Sequence, residues 1–239
     1  SVDAAIALIR GEKGTTVTLT ISRPNESKPR EIKIVRDIIT VPTLETEIKD
    51  KAFIIKLYSF TGNSNKLFRD AIKEFSNANT DKLVIDLRGN PGGYLESAVD
   101  MASWFLPSGK TVLIEDYGVG KEQKLYQSHG YDVFNDNLKL VILIDGGSAS
   151  ASEILAGALK DYNKAKLVGT QSYGKGSVQE VVNIGDDTSL KVTIAKWLTP
   201  NGVSISKKGL TPDIEVKPSD KEGEDPQIKK ALEVLNNWQ

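Results

Sequence analysis

No cysteine occurs among the 239 residues, and histidine occurs once, as His129. Those two scarcities remove thiolate catalysis, cysteine metal sites and disulfides, and leave a serine triad or an imidazole-bound metal with only His129 to use. His129 lies in the polar segment QSHGYDVFND with no metal-ligand spacing around it, and reads as a surface loop residue. Long apolar runs are missing as well. The longest aliphatic stretch is far short of the roughly 20 residues that cross a bilayer, so no membrane span is expected in this fragment, and no signal peptide is visible. The chain begins at Ser1 and its only methionine is Met101, so a processed or truncated product is expected. An excess of one charge sign is lacking too: the formal net charge is −1, which gives no electrostatic argument for nucleic acid. What remains, 39% hydrophobic and 26% charged residues, suffices for a core without staples.

The pattern changes along the chain. Residues 2–10 place Val2, Ala5, Ile6 and Ile9 on one helical face, and Gly11 supplies a stop. Val17, Leu19 and Ile21 alternate with threonines, and after the turn-like RPNESKP Ile32 and Ile34 alternate with charges, so two strands are predicted. The charged stretch RDIITVPTLETEIKDK follows, with a boundary placed near residues 38–43. Beyond it, strands alternate with helices. AFIIKLYSF reads as a strand; residues 64–78 as a helix capped at Ser64; KLVIDLR (82–88) as a strand buried on both faces, as in a parallel sheet. A helix is predicted over 94–106, strands over 111–115, 138–145 and 165–169, short strands around TPNG from 177 to about 215, and a last amphipathic helix over 226–238. Repeated strand–turn–helix units argue for an α/β core.

In such sheets chemistry gathers where strands end and helices begin, because the first N–H groups of a helix are unpaired. VIDLRGNPGGYLESAV and VILIDGGSASASEILAGAL are two such junctions, and LVGTQSYGKGSVQEVV is a third glycine-bearing turn carrying Lys175. Gly169 to Lys175 matches the spacing of a phosphate-binding loop. However, Gly176 stands where serine or threonine should hold magnesium, and the β-branched SVQEVV that follows opens no helix, so nucleotide binding is disfavoured. A lysine buried away from carboxylates can instead lose its proton and take one from a serine. If 175, 177 and 179 share one face of a strand, Gln179 can orient the amine without a carboxylate's charge. Each of Ser148, Ser150 and Ser152 could be a nucleophile with a neighbouring N–H as oxyanion donor. Each could equally be an N-cap, the commoner role, with Glu153 completing the first turn. Asp86 and Arg88 read as structural hydrogen-bonding groups at a strand end, and Glu153 as a helix-start residue facing the dipole.

Six segments together, DLRGNPGG, GSASASEI, GALKDY, VGTQSYGKGSVQ, TPNG and GLTPDIEV, resemble the C-terminal processing peptidases, also called tail-specific proteases, in that family's order from about residue 43 to 216. The resemblance implies a nucleophile at Ser150, the middle serine; a catalytic lysine at Lys175, 25 residues on; Gln179 orienting it; and an oxyanion hole from the N–H groups of Gly93 and Ala151. It implies an α/β fold with a ClpP/crotonase-like ββα superhelical core over residues 41–239, preceded over 1–40 by the C-terminal part of a PDZ domain. A 40-residue remnant is too small to fold alone and is expected to pack on the core or pair with another chain, which leaves a homo-oligomer open. The implied activity is serine endopeptidase cleavage near the C-termini of protein or peptide substrates with a free C-terminus, needing no cofactor and no metal. The implied setting is extracytoplasmic: periplasmic, secreted, or anchored through an N-terminal segment. The competing expectation is a catalytically silent peptide-binding scaffold.

Overall fold

The protein is described by a computed structural model for residues 2–23, 26–39, 42–185, 188–221 and 223–238. Pro24 and Asn25 of the expected turn, and Thr40 and Val41 of the expected boundary, lie outside the described residues. Two units are distinguished, Ser1–Val41 and Pro42–Gln239.

The first unit contains helix α1 (Val2–Ile9) and the antiparallel strands β1 (Thr16–Ile21) and β2 (Arg30–Val35), in register from Thr16 opposite Val35 to Ile21 opposite Arg30. A helix end leaves carbonyls without partners. Arg36 meets them, donating from Nε to the Ile9 carbonyl at 2.7 Å and from Nη2 to that of Leu8 at 3.3 Å, while Nη1 donates to Thr15 Oγ1 at 2.9 Å. None of this unit's described residues is buried.

The second unit runs β3 (Leu44–Lys49), β4 (Ala52–Leu57), α2 (Ser64–Asn77), β5 (Lys82–Asp86), α3 (Leu95–Ala102), β6 (Thr111–Asp116), β7 (Lys124–Gln127), β8 (Lys139–Ile144), α4 (Ala151–Asp161), β9 (Lys166–Gly169), β10 (Ser177–Gly185), β11 (Thr188–Leu198), β12 (Ile214–Glu215) and α5 (Pro226–Asn236). One sheet has the order β12-β9-β8-β5-β4-β3, parallel throughout except for the antiparallel edge strand β3. A smaller antiparallel sheet has the order β10-β11-β6-β7. Side chains of a strand alternate between faces, and here both faces are covered. Phe53, Ile55, Leu57, Leu83, Ile85, Leu140, Ile142 and Ile144 join the core formed with α2, α3 and α4, whereas Ala52, Ile54, Val84, Val141 and Leu143 pack with α5. Leu140 to Ile144 are all fully buried. At about 2 kcal/mol gross for each side chain, this one strand contributes on the order of 10 kcal/mol before conformational entropy is subtracted. The turn leaving β8 therefore springs from a rigid platform.

Several sequence expectations are corrected. LETEIK is a strand, β3, and the polar loop after β6 contains β7, which pairs back on it. Both lie at sheet edges, where one flank faces water and the apolar signature of a strand is diluted by charges. Ser64 is the first helical residue of α2 rather than its cap, which is Asn63, and the Ser64 hydroxyl donates to the Thr61 carbonyl at 2.7 Å. Helix α3 stops at Ala102, short of 106, although Phe105 remains buried. The short strands expected after 177 are one long hairpin, β10–β11, followed by the two-residue β12.

Candidate active site

Strand β8 ends at Ile144 and α4 begins at Ala151, so GGSASAS is the strand-to-helix turn anticipated from its small residues. The three serines differ in environment. The Ser148 hydroxyl donates to the Leu87 carbonyl at 2.8 Å and accepts from Asp145 N–H at 3.0 Å; that of Ser152 donates to the Asn90 carbonyl at 3.0 Å. Both are fully buried and tie this turn to the segment that leaves β5. Ser150 is the N-cap of α4, 9% exposed, with φ 57° and ψ −115°, a left-handed conformation costly for a residue with a β-carbon.

The glycine turn DLRGNPGG packs directly against it. Asn90, fully buried, donates its amide to the Leu57 carbonyl at 2.7 Å, accepts from Gly92 N–H at 2.9 Å, and takes Ala149 N–H on its own carbonyl at 3.0 Å. A β-carbon on Gly92 would lie 2.8 Å from Ser150 Cβ and 2.9 Å from Ala151 N, so only glycine lets the two turns approach this closely. Gly93, at φ 146°, is bracketed by Phe60: Phe60 N–H donates to the Gly92 carbonyl at 2.9 Å and Tyr94 N–H to the Phe60 carbonyl at 2.8 Å. The structure thus brings Gly92 against Ser150 and Ala151.

Lys175 lies in the turn before β10, not in the strand, so the expectation that 175, 177 and 179 share one strand face fails at Lys175. Lys175 and Gln179 are both exposed. Among the described residues no hydrogen bond joins Lys175 Nζ to Ser150 Oγ, and the hydrogen bond that Lys175 donates comes from its backbone N–H. The Lys175 turn is nonetheless fastened to the serine turn, through Tyr173 N–H to the Ser148 carbonyl at 3.0 Å and through Glu153.

Asn90 is the site residue that sequence reasoning missed, whereas Glu153 completes the first turn of α4 as expected and does more besides. Glu153, fully buried, accepts four hydrogen bonds: from Ser150 N–H at 2.9 Å, Lys175 N–H at 3.0 Å, Gly174 N–H at 2.7 Å and Ser172 Oγ–H at 2.6 Å. The Ser-x-x-Glu spacing signals its bond to Ser150. Nothing local signals the other three, which come from about 20 residues away. Asp86 and Arg88 do form a strand-end network. Arg88 bonds Asp86 through Nε at 2.9 Å and Nη2 at 2.7 Å, Asp225 at 2.9 and 2.8 Å, and Gln227 Oε1 at 2.9 Å. Burial pulls the Arg88 pKa down, but the hydrogen bonds to Asp86 and Asp225 outweigh it and hold the guanidinium above its ordinary value. Burial likewise pushes Asp225 up, and the bonds from Arg88 and Ile228 N–H hold it below the usual carboxylate range. His129 is exposed, its ring 6.0 Å from that of Tyr131.

Residues 51–216 match the model of peptidase family S41. The chain belongs to peptidase family S41. It is 40% identical over 214 residues to a probable CtpA-like serine protease of Staphylococcus epidermidis, covering 90% of this chain and 43% of that protein. It is also 40% identical over 220 residues to a carboxy-terminal-processing protease of Bartonella bacilliformis, covering 90% and 50%. The chain spans half or less of the length of these relatives. Among solved structures it superposes on a photosystem II D1 C-terminal processing protease with a TM-score of 0.72 at 28% identity, covering 94% of this chain and 61% of that one. The fold is also shared with mature CPAF, at a TM-score of 0.64 and 14% identity. The S41-matched residues include Gly93, Ser150, Ala151, Lys175 and Gln179.

Proposed function

We propose that this chain carries the catalytic portion of a serine endopeptidase that cleaves protein substrates near their C-termini. In this reading Ser150 Oγ attacks the scissile carbonyl and gives its proton to the Lys175 amine. The tetrahedral oxyanion is met by Gly93 and Ala151 N–H, and Lys175 returns the proton to the leaving amine as the C–N bond breaks. Water, deprotonated by the same lysine, then releases the acyl group from Ser150. Gln179 orients the amine. The observation that carries the reading is the left-handed Ser150 at the head of a buried helix, with the Gly92–Gly93 turn held against it. The same reading takes residues 1–40 as the end of a PDZ domain, residues 41–239 as a ClpP/crotonase-like core, and an extracytoplasmic setting.

A fluorophosphonate probe tests the central step. Labelling is expected at Ser150, located by peptide mass, and Ser150→Ala and Lys175→Ala are each expected to lower peptide turnover by about a thousandfold or more with circular dichroism unchanged. Activity surviving in Ser150→Ala but not in Ser148→Ala or Ser152→Ala would sink the assignment. The exposed Lys175 favours one competing reading, a peptide-binding scaffold without turnover. A wild-type chain that binds peptide but takes no label would support that reading instead.

A further inference from the structure

We infer that Glu153 is the positioning residue that holds the Ser150 and Lys175 turns in one register, an inference that rests on the peptidase reading. A carboxylate offers two oxygens, both acceptors only. Here Oε2 takes Ser150 N–H at 2.9 Å and Lys175 N–H at 3.0 Å, so one atom joins the segments bearing the proposed nucleophile and base. Oε1 takes Ser172 Oγ–H at 2.6 Å and Gly174 N–H at 2.7 Å, anchoring the lysine turn from its other side. Ser172 Oγ in turn accepts from Leu210 N–H at 2.7 Å, so the clamp extends to the segment behind the turn. A helix-start role alone accounts for the bond from Ser150 N–H and for none of the other three. Glu153 is fully buried, and all four of its partners are neutral donors.

This arrangement demands an acid rather than a polar residue of the same shape. In Glu153→Gln one oxygen becomes an NH2 donor, which faces either the N–H groups of Ser150 and Lys175 or the Gly174 N–H beside the Ser172 hydroxyl, a group that can turn to accept. Whichever way the amide turns, at least one backbone N–H of the two turns loses its acceptor. With no exposed surface, Glu153 makes no contact with a bound peptide, so its loss acts on the geometry of attack rather than on peptide affinity.

The test uses the 239-residue chain. Glu153→Gln is assayed below its own unfolding midpoint, measuring the rate at which a fluorophosphonate phosphonylates Ser150 together with kcat and KM on a peptide. Phosphonylation rate and kcat are expected to fall about a hundredfold with KM within about threefold of wild type. A folded Glu153→Gln that keeps kcat within about threefold of wild type overturns the inference. Should that variant not fold, Ser172→Ala decides, because it removes one bond to Oε1 and none to Oε2: about tenfold slower phosphonylation at unchanged KM is expected. Unchanged phosphonylation in Ser172→Ala then overturns the inference. Wild-type protein that takes no label sinks the peptidase reading and this inference with it, whereas labelled wild type beside unaffected variants sinks this inference alone.

Discussion

At the scale of single residues, the two glycines beside Ser150 are limited by different neighbours, and their substitution should be read by different measurements. A β-carbon on Gly93 would overlap the Phe60 carbonyl at a backbone angle of φ 146° that L-residues rarely adopt. Gly93→Ala is therefore expected to cost about 2–4 kcal/mol, read as a lower urea midpoint. At Gly92 the added carbon would lie 2.6 Å from the Ala149 carbonyl and 2.8 Å from Ser150 Cβ, so the strain falls on the serine turn itself. Gly92→Ala is expected to abolish probe labelling even where the protein stays folded, and undiminished labelling would contradict that packing. The strand-to-helix setting of the serines could be read from GGSASAS because small residues, a preceding aliphatic run and a following helix are local signals. The union of Glu153 with Ser172, Gly174 and Lys175 could not, since it depends on how two turns meet in space.

At the scale of elements, α5 is joined to the end of β5 through Arg88, whose side chain is 19% exposed and grips Asp225, the N-cap of α5, with both Nη atoms. Arg88→Ala leaves two carboxylates without their cation and is expected to cost about 3 kcal/mol at neutral pH, measured by urea unfolding. The pH dependence has a definite sign. Asp225 is held below the ordinary carboxylate value of 3.8 in the fold, so its share of the stabilisation is full above that value and is lost as pH falls through the lower folded one. The gap between wild type and Arg88→Ala should narrow on acidification below 3.8 and stay constant from there to neutrality. The central strands were plain in the sequence because burial on both faces demands uninterrupted aliphatics. β3 and β7 were not, because an edge strand needs only one paired flank and tolerates LETEIK or KLYQ.

At the scale of the molecule, the two hydrophobic clusters lie wholly within residues 42–239. The first unit has a hairpin, a helix and the Arg36 contacts, but no buried described residue. A synthetic peptide of residues 1–41 is accordingly expected to show no cooperative thermal transition by circular dichroism, and a sharp one would prove that unit self-sufficient. The α/β class followed from the alternation of strands with helices, whereas the second, antiparallel sheet did not, because its long hairpin carries few buried residues to mark it. The Arg88–Asp225 link also bears on how the protein is made. Its two ends stand 137 positions apart, so a ribosome that has already delivered Ser150 must add 75 further residues before the guanidinium finds its second carboxylate. Until then the strand end from which the glycine turn departs lacks its far anchor, and a growing chain carries its proposed nucleophile well before the last part of the scaffold that steadies it.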